Sequence, residues 1–105
     1  KIIACTSMGT DPYSKALRKM NLEQHFPGIF DQIDIIPFAE PKGNWLKQYR
    51  DSNAYWIEDK WSNAIAGADV GLNTLIMKHE YNAYMKDNRI RHVDNWQQIY
   101  SIMTK

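Results

Sequence analysis

One stretch constrains the fold more than any other: Tyr55 to Met77, YWIEDKWSNAIAGADVGLNTLIM. A short apolar run closes in two adjacent carboxylates, Glu58 and Asp59. A polar turn follows, and a helix of small residues, AIAGA, leads through Gly71 into a second apolar run, Thr74 to Met77. Strand, acidic tip, helix, glycine turn and strand in this order predict a parallel β-α-β unit. Carboxylates at the carboxyl end of a parallel strand lie where open α/β sheets bind their ligands. Two hard oxygen donors there suit Mg²⁺, which takes carboxylates, water and phosphate oxygens. The segment therefore implies magnesium-dependent phosphate chemistry.

The rest of the chain continues the alternation. Ile2 to Cys5 reads as a buried strand, and Thr6, Ser7, Met8 and Gly9 as its polar tip. Asp11 to Met20 reads as a helix with Asp11 as N-cap and Pro12 at its first position. Pro27-Gly28 breaks the chain, and Phe30 to Phe38 reads as a second strand. Pro41 to Gly43 reads as a loop, and Asn44 to Arg50 as a helix whose apolar face holds Trp45, Leu46 and Tyr49. Beyond the turn at Asp51 to Asn53, the pattern predicts a strand at Tyr55 to Ile57, a helix at Ser62 to Asp69 and a strand at Asn73 to Met77. His79 to Asn88 reads as an irregular surface loop, and Ile90 to Val93 as a short edge strand. Asn95 to Met103 reads as a terminal helix, with Trp96, Ile99, Tyr100 and Met103 at i, i+3, i+4 and i+7. This order predicts a doubly wound α/β layer with a mostly parallel sheet, one domain over residues 1–105. One sheet edge then gathers Thr6 and Ser7, the loop at Lys42, and Glu58 with Asp59.

Composition removes several alternatives. The net charge is +1 with no basic block, so nothing draws the chain to a nucleic acid polymer or a membrane surface. No apolar stretch approaches the roughly 18 residues of a membrane span. Cys5 is the only cysteine, which excludes an intrachain disulfide and a thiolate zinc site. It reads as a packing residue, compatible with a reducing, cytoplasmic setting. His25, His79 and His92 show no metal-ligand spacing and read as surface or loop residues. The tryptophans read mostly as core-facing; Trp61, next to the acidic tip, could also wall a substrate pocket. Neither a glycine-rich nucleotide loop nor a Ser-His-Asp arrangement is present. The chain opens at Lys1 directly into an apolar run, which leads us to expect that it is the later part of a longer protein.

A phosphoryl group needs donors that neutralise and orient its oxygens. Thr6 or Ser7 can donate a hydroxyl hydrogen bond, backbone N–H groups near Met8 and Gly9 can add others, and Lys42 can supply a positive charge. Asp59 can hold Mg²⁺ directly, with Glu58 or Asn63 holding it directly or through water. Taken singly, each has a plainer reading. Thr6-Ser7 can cap the next helix, Lys42 can be a solvated loop lysine, and Asn63 can cap a helix. The ordered set carries the argument.

That order resembles the haloacid dehalogenase superfamily. Thr6-Ser7 after IIAC, Lys42 before NWL, and IEDKWSNAIAGADVGL look like its second, third and fourth motifs, over almost the whole chain. The ACTS tip and the tail KHEYN…VDNW also look like its small phosphatases, among them the 5'(3')-deoxyribonucleotidases. The resemblance implies that Thr6 holds a phosphoryl oxygen with Ser7 and Met8 in the same loop. It implies that Lys42 neutralises phosphate and nucleophile, and that Asp59, with Glu58 beside it, binds Mg²⁺. Asn63 falls where many members have a second acid. The family's first motif, Asp-x-Asp on the central strand, does not occur in this sequence. The implied protein is a phosphatase of small phosphate esters acting through an aspartyl-phosphate. Its nucleophile strand and any specificity cap come from an upstream segment or a partner strand. The other reading is a non-catalytic module of the same fold.

Overall fold

The computed structural model describes residues 1–8, 11–37 and 39–104. In chain order the elements are β1 (Ile3–Met8), α1 (Pro12–His25), β2 (Gln32–Pro37), α2 (Lys42–Leu46) with a 3-10 turn (Lys47–Tyr49), β3 (Tyr55–Glu58), α3 (Trp61–Asp69), β4 (Asn73–Met77), β5 (Ile90–Val93) and α4 (Trp96–Met103). The architecture is α/β and all three strand pairings are parallel. The strands divide between two sheets, β1-β2 and β3-β4-β5, instead of forming one. The sheets belong to two compact units, Lys1–Pro41 and Lys42–Lys105. Among the described residues, no helix is long and apolar enough to cross a membrane.

In the first unit, β1 and β2 pair from Ile3 opposite Gln32 to Met8 opposite Pro37. The strand thus runs past Cys5, and Thr6 and Ser7 lie inside it rather than at a polar tip. Ile35 and Ile36 face them across the ladder, and a β-branched threonine suits a pleated surface. Gly9 and Phe38 lie outside the described residues. The second strand starts later than its apolar pattern suggests, because Asp31 is tied back to Ile2: its N–H donates to the Ile2 carbonyl at 2.7 Å, and its carboxylate accepts from the Ile2 N–H at 2.6 Å.

Asp11 caps α1 by accepting from the Ser14 N–H at 2.9 Å, with Pro12 in the first turn. That bond holds its carboxyl below the ordinary aspartate range. The helix passes Met20 and continues to His25, since no breaker precedes Pro27 and Gly28. It buries none of its residues, and Tyr13, Leu17 and Met20 are exposed at i, i+4 and i+7.

In the second unit β4 is central, and alternation along it serves two faces. Ile76 packs with Ala64, Ala68 and Ile90, while Leu75 packs with Val93 and Ile99. The sheet is therefore covered by α3 on one side and α4 on the other. The helix α2 starts at Lys42, not after a loop over residues 41–43. A proline entering a helix sacrifices no intrahelical hydrogen bond, so Pro41 opens α2 instead of delaying it. Asp51 and Asn53 adopt left-handed backbone (φ 55° and 65°), which these side chains tolerate better than most.

The terminal helix turns a different face inward from the predicted one. Ile99 is buried and Ile102 packs with it, whereas Trp96 (66% exposed), Tyr100 and Met103 face outward. Both stripes are apolar in sequence. The branched aliphatics fit the flat surface of Leu75 and Val93, so they take the interior.

Candidate functional site

Parallel pairing brings the carboxyl ends of β3, β4 and β5 to one edge, with Glu58 opposite Ile76 and Met77 opposite Val93. Lys42 enters this edge from α2. Its Nζ lies 3.3 Å from Oε2 of Glu58, with side-chain exposures of 15% and 8%. The same ammonium stands 5.7 Å from the ring centroid of Trp56, so an aromatic face and a carboxylate hold it together. Lys42 is not a solvated loop lysine. The other oxygen of Glu58 accepts from the N–H groups of Asp59 (3.0 Å) and Lys60 (3.4 Å) and shapes the turn into α3. Both oxygens of Glu58 are therefore engaged, while Asp59 beside it is exposed. Asn63 is half-buried in the first turn of α3. It does not cap that helix, whose cap position is Lys60. Its carbonyl accepts from Trp56 Nε1 at 3.0 Å.

Asn82, placed by pattern in a surface loop, is fully buried. Its side-chain NH₂ donates to the carbonyls of Asp59 (3.0 Å) and Met77 (2.9 Å), and its Oδ1 accepts from the His79 N–H (2.8 Å). One amide thus clamps the acidic tip to the end of β4. The only sequence signal is a polar residue in KHEYN just after a strand, and that does not announce burial. Asn82→Ala would leave two carbonyls and an N–H without partners, so a loss of about 2–4 kcal/mol is expected, read from urea unfolding.

Tyr81 approaches the same tip. Partial desolvation, then the negative charges of Asp59 and Glu58, raise its phenol above the ordinary tyrosine range. His79 stacks on its ring at 5.2 Å. Trp61 stacks on His92 at 6.0 Å and packs against the Ala64–Ile76 cluster, so the structure uses it as an interior contact. His92 is likewise half-buried, with Nε2 3.3 Å from the Asn82 carbonyl oxygen. Arg89 bridges Asp87 and Asp69 at 2.9 and 2.8 Å and bonds Asp87 closely enough to lower its carboxyl to about 2.

Thr6, Ser7 and Met8 belong to the first unit; Lys42, Glu58, Asp59 and Asn63 belong to the second. The structure brings the second set to one sheet edge. Within the first set, Oγ1 of Thr6 accepts from Arg18 Nη1 at 2.6 Å. Among the described residues no three His, Cys, Asp or Glu side chains gather as a metal-ligating group. Magnesium requires less, one or two carboxylates with water and phosphate completing its shell. Of the residues that could hold such an ion, Asp59 has an exposed carboxylate and Asn63 is half-buried in the first turn of α3, whereas Glu58 is bonded to Lys42 and the turn. Compared with protein-family models, curated proteins and solved structures, the chain gives no match.

Proposed function

We propose that this chain is the later portion of a haloacid-dehalogenase-like core, a magnesium-dependent phosphatase of small phosphate esters. The observation that supports the reading is the meeting of Lys42 with Glu58, 16 residues apart, at the carboxyl end of a parallel strand and next to Asp59. A lysine held by one carboxylate beside a second, exposed carboxylate is what a phosphoryl site with a cation requires.

In this reading Lys42 places its charge on a phosphoryl oxygen, and Glu58 keeps the ammonium aimed without giving up its contacts to the turn. Asp59 would hold Mg²⁺ with Asn63 or water, and the ion when bound supplies charge neutralisation at the phosphoryl oxygens. Within the first unit, Thr6 and Ser7 offer hydroxyls suited to a phosphoryl oxygen, and the nucleophile is an aspartate outside this chain that forms and loses an aspartyl-phosphate. The strand bearing it is a missing segment or a partner strand. Among the described residues β1 pairs only with β2, and β3 only with β4, so each keeps an edge able to take another strand. The substrate is a small phosphorylated molecule, a nucleotide first and a sugar phosphate or similar metabolite second. The setting is cytoplasmic.

One observation favours the competing reading of a non-catalytic binding or scaffold module: the sequence contains no Asp-x-Asp. The test is the N-terminal sequence and intact mass of the native polypeptide, with phosphate release measured with and without Mg²⁺. An upstream Asp-x-Asp with chelator-sensitive release supports the phosphatase. A native protein lacking both is the module.

A further inference from the structure

Arg18 projects from the middle of α1 and is half-buried, and its guanidinium bonds a neutral partner, the Thr6 hydroxyl, at 2.6 Å. A cation withdrawn from water ordinarily finds a carboxylate. Of the acids of this unit, Asp11 accepts from the Ser14 N–H, Asp31 from the Ile2 N–H and Asp34 from the Gln32 amide at 2.8 and 3.0 Å, and neither Asp11 and Asp31 nor Glu23 and Glu40 form an ion pair among the described residues. Among the described residues the ion pairs all lie in the second unit. Among the described residues of its unit, Arg18 therefore has no carboxylate partner, and Thr6 takes only one of its N–H donors. The direction of its one hydrogen bond matters too. By donating to Oγ1, the guanidinium fills a lone pair of the hydroxyl and leaves the Thr6 proton to be donated onward. It also polarises that O–H, which strengthens the donation.

We propose that Arg18 and Thr6 form an oxyanion-binding pair for a phosphate group, the guanidinium supplying charge and planar donors and the hydroxyl a second donated hydrogen bond. An arginine fork matches phosphate geometry better than a lysine does. The proposal rests on the phosphoryl role given above to Thr6 and adds to it a cation that no motif in the sequence marks.

The test is titration of the native polypeptide, in its full length, with inorganic phosphate, and in a second arm with phenyl phosphate, at matched ionic strength. The readouts are the Arg18 side-chain NMR resonances and the affinity. Saturable shifts at Arg18 that chloride does not reproduce are expected. A tighter ester marks a substrate-binding subsite, and tighter inorganic phosphate a product or free-phosphate site; both support the pair. Arg18→Gln should weaken binding about tenfold or more, with Arg18→Lys intermediate. The resonances of the unsubstituted chain decide the matter even if a variant folds poorly. Phosphate binding that Lys42→Ala weakens and Arg18→Gln does not, with Arg18 resonances unmoved, overturns the pair and leaves the phosphatase reading intact. Binding that depends on Arg18 without magnesium-dependent turnover in the native protein supports the pair and removes the phosphatase. No saturable shift with either probe overturns the pair.

Discussion

Gly67→Ala is expected to destabilise the second unit by about 2–3 kcal/mol or more, the range of an overpacked core. A Cβ at this position would overlap Cδ1 of the Trp56 indole, meet its Cγ at 3.0 Å and stand 3.1 Å from Oγ1 of Thr74. None of these neighbours has room to yield. The indole is pinned by its bond to the Asn63 carbonyl and lies under Lys42, and Thr74 is buried in β4. Helix propensity alone predicts the opposite sign, since alanine in a helix interior is favoured over glycine by roughly 1 kcal/mol. Gly43 supplies the internal comparison. It is also helical, but its Cβ would meet only Ala66 at 3.5 Å, an ordinary contact. Gly43→Ala should therefore be neutral or stabilising by about 0.5 kcal/mol. Urea unfolding of the two variants checks both, and equal effects would mean that close approach of α3 to Trp56 is not what Gly67 serves.

The same small-residue helix shows what pattern reading can and cannot see. The β-α-β unit from Tyr55 to Met77 was legible because each of its parts carries its own signal: apolar runs for the strands, AIAGA for a helix lying close to a sheet, Gly71 with φ 82° for the return. The N-caps were legible for a similar reason. Asp11 before Pro12, and Asn95, whose Oδ1 accepts from the Gln98 N–H at 2.9 Å, announce themselves locally. What failed depends on partners distant in sequence. The length of β1 is set by β2 across the ladder. The inward face of α4 is chosen by Leu75 and Val93 between two equally apolar stripes. Asn82 and Arg18 are polar residues in polar text, and only the fold reveals that one is buried and the other bonded to Thr6.

On the proposed phosphatase reading, the largest functional effects are expected at Lys42 and Asp59 in the complete protein. Asp59→Ala should abolish magnesium-dependent turnover, because Glu58 beside it is occupied and cannot take over the metal. Lys42→Ala should lower turnover by roughly 10²–10³, the scale of removing one preorganised charge from a phosphoryl or oxyanion site. Lys42 also has a structural duty. Truncating it strands the nearly buried carboxylate of Glu58, which should cost roughly 1–3 kcal/mol, below the range of a fully buried pair. A loss of activity alone would therefore not separate charge on the substrate from damage to the fold. The pair Lys42→Met and Glu58→Gln separates them. Methionine keeps an apolar stem over the Trp56 ring, and glutamine keeps an oxygen for the N–H groups of Asp59 and Lys60. With both charges gone no ion is left unpaired, so the double variant should regain most of the stability that Lys42→Met loses. If Lys42 is the phosphoryl cation, turnover should stay low in it, because that charge is still missing. Turnover that recovered together with stability would make Lys42 and Glu58 a structural pair and move the catalytic lysine elsewhere, Lys47 and Lys60 being next in line.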